Sequence, residues 1–139
     1  MRFSATLQTL SLLILNTMAS ASTASPSPVT RIAVFKFRPT TTPSQKGDRT
    51  RSFLALYAQH PELLLVPPRG GRPLNTPLNL TNVERDDEWD TGFVVVFKSD
   101  DARKDFDADP GHDRLKNETD PLLKQVFVYD FIDQENLGW

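Results

Sequence analysis

Apolar residues are concentrated in three short stretches of the chain, either in alternation or as an unbroken run, which predicts three strands. Residues 31–37 form the first, and apolar side chains occur on both of its sides, so we expect both faces to be covered. Residues 91–98 contain five consecutive apolar residues and predict a central strand. Residues 125–131 predict the last strand.

Helical spacing of apolar residues separates these strands. Phe53, Leu56, Tyr57 and His60 predict an amphipathic helix that ends before Pro61, preceded by a polar loop over 40–50.

A second helix is expected from Ser99, a capping hydroxyl followed by two acids, through Phe106. The turn Asp109-Pro110-Gly111-His112 then starts a further helical stretch that is bent or restarted at Pro121.

The middle of the chain gives weaker signals. The apolar run 63–66, closed by residues 67–71, is too short to distinguish a strand from a buried loop. We expect an irregular edge strand over 74–83 and a charged, hairpin-like connection over 84–88. The resulting order is strand, helix, strand, strand, helix, strand, the α+β, split ferredoxin-like βαββαβ pattern.

The N-terminus has the pattern of a targeting segment. A positive charge, a short apolar region and a small-residue cleavage site predict a secretory signal peptide over residues 1–21. A Ser/Pro-rich linker follows over 22–29, the domain occupies 30–133, and 134–139 form a C-terminal tail. The apolar region is far shorter than the roughly 20 residues that span a bilayer, so we expect no stable membrane anchor.

Charge and composition narrow the possible partners. The formal net charge of -2 comes from 18 acidic and 16 basic side chains mixed along the chain, which disfavours nucleic acid as a partner and favours a small neutral or weakly charged ligand. Two sequons, at Asn79 and Asn117, permit glycosylation of a secreted product. The chain has no cysteine, so stability must come from packing or self-association, and a homodimer is expected.

His112 is the main candidate for chemistry, because histidine exchanges a proton near neutral pH and the chain has only two. It is either a general base or a helix N-terminal residue that hydrogen-bonds a carbonyl or the Asp109 side chain. Tyr57 either orients a substrate or is a core tyrosine, and His60 is expected at the surface near its helix end.

Two further features remain open at this stage. Trp89 either covers the mouth of a pocket or packs at a strand edge. The acidic residues 86–88 and Asp90 either hold a cation or form a solvated turn, and we favour the turn because their spacing is not that of a ligand set. We therefore expect no metal and no cofactor.

Three stretches resemble the stress-responsive dimeric α+β barrel family. Residues 31–37, Arg-Ile-Ala-Val-Phe-Lys-Phe, are similar to its opening strand His-Ile-Val-Leu-Phe-Lys-Leu. Residues 106–112, Phe-Asp-Ala-Asp-Pro-Gly-His, correspond to its motif Tyr-x-x-His-Pro-x-His, and 128–131, Val-Tyr-Asp-Phe, to its final Val-x-Asp-Phe strand. Residues 61–88 match the family poorly.

The resemblance implies that the protomer pairs through its sheet with a second copy, closing a dimeric α+β barrel around apolar side chains. The family includes plant stress-response proteins and polyketide cyclases similar to olivetolic acid cyclase, in which the last histidine of the motif is the general base of an aldol closure. His112 occupies that position, and Phe106 replaces the motif's tyrosine. Tyr57 falls near another tyrosine that such cyclases place by the pocket.

A function follows from the resemblance as an expectation. The protein would bind an apolar small molecule and act as a polyketide cyclase-like enzyme of secondary metabolism, without a cofactor. His112 and Tyr57 would be catalytic, and the ligand would contact aromatic residues, namely Phe35, Phe37, Trp89 and Phe106. The alternative is a non-catalytic stress-response barrel filled by its own side chains.

Overall fold

The computed structural model describes residues 25–74 and 88–139. Within them the chain forms four strands and three α-helices, with short 3-10 turns at Asp120–Leu122 and Glu135–Gly138. In chain order these elements are β1 (Val29–Phe37), α1 (Pro43–Ala58), β2 (Leu64–Gly71), β3 (Thr91–Phe97), α2 (Asp100–Asp107), α3 (Pro110–Thr119) and β4 (Leu123–Phe131).

The four strands form one antiparallel sheet in the order β2-β3-β1-β4. The helices cover one of its faces, so the predicted ferredoxin-like α+β fold is confirmed. The strand predicted over 91–98 is β3, which lies at the centre beside β1 as expected. The strand predicted over 125–131 is β4, which begins two residues earlier and forms one edge of the sheet.

The second strand of the pattern is β2, in the segment whose state the periodicity left open. It runs through Pro67 and Pro68, which were expected to close the apolar run. Its pairing with β3 shifts register around these prolines. Proline has no N–H to donate, and an edge strand tolerates it because such a strand pairs on one side only. The edge strand predicted over 74–83 and the connection over 84–88 fall almost entirely outside the described residues.

α1 begins at Pro43, so the polar loop predicted over 40–50 is wrong for most of its length. The Thr42 hydroxyl accepts a hydrogen bond from the Gln45 amide at 3.2 Å, and the Gln45 side chain accepts one from the Thr42 amide at 2.9 Å. This capping box, with proline in the first turn, starts the helix. The first two turns are mostly exposed, so no apolar periodicity marked them.

The core lies between the sheet and α1. Phe35 on β1 packs against Phe53 of α1, with ring centroids 5.0 Å apart, and against Phe93 of β3 at 5.6 Å. Tyr57, one helical turn after Phe53, packs on Phe93 at 5.9 Å. Alternation along β1 thus turns Phe35 and its neighbours at 33 and 37 toward the helices.

The other face of the sheet is also apolar, as the first strand's alternation predicts. Ile32 and Val34 of β1 lie opposite Tyr129 and Phe127 of β4. These two aromatic side chains are 54% and 47% exposed, and their rings stack at 6.3 Å. We call this side of the sheet, which carries exposed apolar side chains, the open face.

Candidate functional site

A groove of about 550 Å³ opens between the sheet and the helices, where β1 and β4 face α1 and α3. His112 and Tyr57, the two predicted catalytic residues, both line it. Most of its wall is apolar, contributed by Ala33, Phe35, Phe53, Phe93, Leu123, Val126 and Val128. The other seven lining residues are polar or charged, namely Arg31, Tyr57, Asp107, His112, Lys116, Thr119 and Asp120. A mainly apolar wall with placed polar groups is typical of sites for small molecules.

The backbone that carries His112 is fixed by the predicted turn. The Asp109 carboxylate caps α3, since its Oδ1 accepts hydrogen bonds from the amides of Gly111 at 2.7 Å and His112 at 3.2 Å. Pro110 occupies the first helical turn. A Cβ at position 111 would lie 2.7 Å from that same Oδ1, so the cap requires glycine there.

The His112 ring is held at two points. Its Nδ1 lies 3.3 Å from the carbonyl oxygen of Asp107, the last residue of α2. Because a carbonyl oxygen only accepts hydrogen bonds, Nδ1 is the donor and Nε2 of the neutral ring is left with a free lone pair. The ring also packs on Phe106, with centroids 5.1 Å apart.

Tyr57 is 2% exposed and stacks on Phe106 with centroids 4.2 Å apart and planes 6° from parallel. Burial raises the pKa of its phenol to about 12, outweighing the opposing effect of the nearby Arg31 guanidinium. The phenol therefore stays protonated at physiological pH. It is suited to donate a hydrogen bond to a ligand, and it is not suited to act as a base.

The remaining predicted contact residues are spread over the molecule. Phe35 lines the groove, whereas Phe106 is fully buried beneath it, between Tyr57 and His112. Phe37 lines a separate cavity of about 440 Å³ near the start of α1. Trp89 is half-buried just before β3 and belongs to the lining of neither cavity.

One group of residues escaped the sequence reasoning altogether. Arg31 is 6% exposed and binds two carboxylates through paired hydrogen bonds. Its Nη1 and Nη2 donate to Asp107 at 2.6 and 2.9 Å, and its Nε and Nη2 donate to Asp130 of β4 at 2.8 Å each. Arg103 of α2 also donates to Asp107, at 2.9 Å. The sequence does carry one signal of this group, because Arg31 shares the helix-facing side of β1 with Phe35 and Phe37.

Burial and hydrogen bonding have opposite effects on the pKa values of Arg31 and Asp107, and hydrogen bonding has the larger net effect. Burial alone disfavours charge on Arg31, but its hydrogen bonds to Asp130 and Asp107 raise its pKa. Burial likewise raises the pKa of Asp107, and the hydrogen bonds from Arg31 more than reverse this, so it lies below its usual range. Arg31 and Asp107 are therefore ionised at neutral pH, and both line the groove.

His60 lies close to this region rather than simply at the surface. It follows the end of α1 as expected, but its side chain is only 22% exposed, because its ring meets the edge of Phe106 at 5.9 Å. Its Nε2 lies 3.4 Å from Asp109 Oδ2 and its Nδ1 lies 3.3 Å from Glu62. His60 thus supports the cap that positions His112.

The acidic cluster is only partly described. Asp86 and Asp87 lie outside the described residues, while Glu88 pairs with Lys36 at 3.0 Å and Asp90 with Lys46 at 2.6 Å. Among residues 25–74 and 88–139, no group of three or more His, Asp or Glu side chains is placed to hold a metal ion.

None of the helices within residues 25–74 and 88–139 has the length and apolar character needed to cross a bilayer.

The family model described as the stress responsive A/B barrel domain matches residues 29–133. No curated protein sequence matches the chain significantly.

Solved structures share the fold at low sequence identity. A dimeric ferredoxin-like protein of unknown function from Thermobifida fusca is 20% identical, with a TM-score of 0.60 over 78% of this chain and 92% of that one. A hydroxynitrile lyase from Passiflora edulis is 15% identical, with a TM-score of 0.64 over 79% and 96%. The cofactor-independent oxygenase SnoaB from Streptomyces nogalater is 17% identical, with a TM-score of 0.59 over 81% and 99%.

Proposed function

The chain belongs to the stress responsive A/B barrel family, and we propose that it is a homodimeric small-molecule-binding protein with polyketide cyclase-like activity that uses His112 as a general base. The observation that carries the proposal is the groove of about 550 Å³ whose lining includes His112 and Tyr57. Two structural neighbours described as enzymes, a hydroxynitrile lyase and a cofactor-independent oxygenase, show that this fold supports catalysis.

The proposed reaction is an intramolecular aldol closure. His112 Nε2 takes a proton from a carbon next to a carbonyl group, and that carbon forms a bond with a second carbonyl carbon of the same molecule. The resulting alkoxide takes a proton back from the imidazolium, so no other reactant is consumed. The Tyr57 hydroxyl donates a hydrogen bond to the oxygen that gains negative charge, and the apolar wall keeps the flexible substrate folded and excludes water.

The substrate class can be tested with linear poly-β-carbonyl compounds, with cyclised product measured by mass spectrometry. We expect the protein to accelerate closure, and His112→Gln to reduce the rate about 10²- to 10⁴-fold, the range typical of a lost general base. The matched control is Asp113→Asn, the next residue of the same helix, which is exposed. Equal activity of His112→Gln and the wild type would contradict the role of His112.

A non-catalytic binding function is the second candidate, favoured by Phe106. The family motif has tyrosine at this position, and here the hydroxyl is absent and the ring is fully buried. If the protein binds an apolar fluorescent dye in the groove, with binding weakened by Val128→Asp, yet accelerates no closure, this second function is supported. Val128 lines the groove and is half-exposed, so this change adds charge without disturbing the core.

Dimerisation through the open face is part of the proposal, because a large exposed apolar face of a sheet is unfavourable in water. Two neighbours, from Thermobifida fusca and Bacteroides fragilis, are described as dimeric. We expect Tyr129→Asp to convert a dimer to a monomer in light scattering, whereas Leu54→Asp, an exposed position on α1, leaves it dimeric. A Tyr129→Asp protein that stays dimeric would place the interface elsewhere.

We also propose that the protein enters the secretory pathway, on the basis of residues 1–21. Sequencing the N-terminus of the product from eukaryotic cells tests this, and a product that still begins at Met1 would contradict it. Asn117 is exposed on α3 and so is available for a glycan, whereas Asn79 lies outside the described residues. Loss of a mass shift in Asn117→Gln after deglycosylation would show that this sequon is used.

A further inference from the structure

Asp107 connects the buried Arg31 guanidinium, which lines the groove, to the His112 ring. Its carboxylate receives the two hydrogen bonds from Arg31, at 2.6 and 2.9 Å. Its backbone carbonyl accepts the hydrogen bond from His112 Nδ1 at 3.3 Å. One residue therefore couples a buried cation on the sheet to the orientation of the candidate base on α3.

The position of Asp107 explains why its carbonyl is available. The last carbonyls of a helix have no partner within that helix, and Asp107 is the final residue of α2. The amides that follow are directed elsewhere, since Ala108 donates to Lys104 and Asp109 donates to Phe106. The imidazole of His112 thus satisfies a helix-end carbonyl.

Arg31 fixes this helix end in space. It is rigidly held because its other hydrogen bonds go to Asp130 on β4, so that β1, β4 and the end of α2 are tied together. Paired hydrogen bonds between a guanidinium and a carboxylate define direction as well as distance. A shift of α2 would carry the Asp107 carbonyl away from Nδ1.

We propose that Arg31 and Asp107 are positioning residues that select the Nδ1–H tautomer of His112, which leaves Nε2 as the basic nitrogen. The proposal rests on the proposed function, in which His112 is the base. The tautomer of His112 is a property of the protein without substrate and is measurable in that state. Free histidine in water prefers the other tautomer, with the proton on Nε2. The protein must therefore reverse that preference, and the carbonyl of Asp107 is the acceptor that does so.

The test is long-range ¹H–¹⁵N NMR of the full protein above neutral pH, where the tautomers of the neutral ring are distinguished by their nitrogen shifts. The chain has two histidines, and His60→Gln identifies the signals of His112. We expect Nδ1–H as the main form in the wild type. Asp107→Asn keeps the backbone carbonyl but weakens the contact with Arg31. It should shift the tautomer ratio toward Nε2–H by about fivefold, the factor that corresponds to one net hydrogen bond.

Two further variants keep the result interpretable. Asp101→Asn removes an exposed carboxylate from the start of the same helix, where it lies 3.9 Å from Lys104 Nζ, and should leave the tautomer unchanged. Arg31→Lys keeps the charge and loses the paired geometry, so it should shift the tautomer ratio toward Nε2–H by less than fivefold. This variant tests the inference even if Asp107→Asn fails to fold. A wild type with Nε2–H, or unchanged tautomers in Asp107→Asn and Arg31→Lys, would overturn the inference. The activity of His112→Gln tests the proposed function, whereas the NMR experiment tests the tautomer. Failure of one is therefore distinguishable from failure of the other.

Discussion

Ionisation of Tyr57 should destabilise the protein at alkaline pH. The phenol is almost completely buried, and its pKa is raised from 10.0 to about 12, with burial as the main cause. A raised pKa means that the folded state holds the proton more tightly than the unfolded state does. The stabilisation is therefore fully present below pH 10 and is lost as pH rises toward 12.

The size of the effect follows from the two pKa values. A difference of about two units corresponds to about 2.7 kcal/mol of stability in the limit of high pH. At pH 11, where the unfolded phenol is mostly ionised and the folded one is mostly not, about half of this is lost.

Urea unfolding of the wild type and of Tyr57→Phe at pH 9 and pH 11 isolates the contribution, because every other group titrates in both proteins. We expect the stability of the wild type to fall by about 1.4 kcal/mol more than that of Tyr57→Phe. If Tyr57→Phe and the wild type lose equal stability, the Tyr57 hydroxyl titrates as a solvated group and its assignment as a buried donor is refuted.

Two packing predictions concern the residues that hold His112. Phe106→Ala should cost about 3 to 5 kcal/mol in urea unfolding, because the ring is fully buried against Tyr57. Leu137→Ala, at an exposed position, should change stability by less than about 0.5 kcal/mol, and a similarly small effect of Phe106→Ala would contradict the packing. Asp109→Ala should cost about 1 kcal/mol through loss of the α3 cap, while Asp109→Asn keeps a capping oxygen and most of the stability. Equal losses in these two variants would assign the effect to the carboxylate charge beside His60 instead.

Local chemistry made a large part of the fold predictable. The apolar run 93–97 identified the central strand, and Ser99 and Asp109 marked the starts of two helices because each caps its helix within three residues. The beginning of α1 was missed because its exposed turns carry no apolar period, and β2 was left open because prolines interrupt its pattern. Such segments take their structure from a cap or from a neighbouring strand.

The candidate site was predictable only in part, because some of its contacts join residues that are distant in sequence. His112 and Tyr57 carry recognisable chemistry on helices, and both line the groove. The partners of Arg31 are 76 and 99 residues away in sequence, at Asp107 and Asp130, so no local pattern links them. The pairing of β1 with β4 places Arg31 opposite Asp130, and the packing of α2 on the sheet brings Asp107 to the same guanidinium.

The prolines of β2 also determine where the sheet can grow. An edge strand normally offers a row of free amide donors to any further strand, which is the first step toward fibrillar aggregation. Pro67 and Pro68 have no N–H to offer, and the register shift around them bends the ladder. These prolines therefore weaken β2 as a template for a further strand, and end-to-end extension of the sheet is disfavoured at this edge.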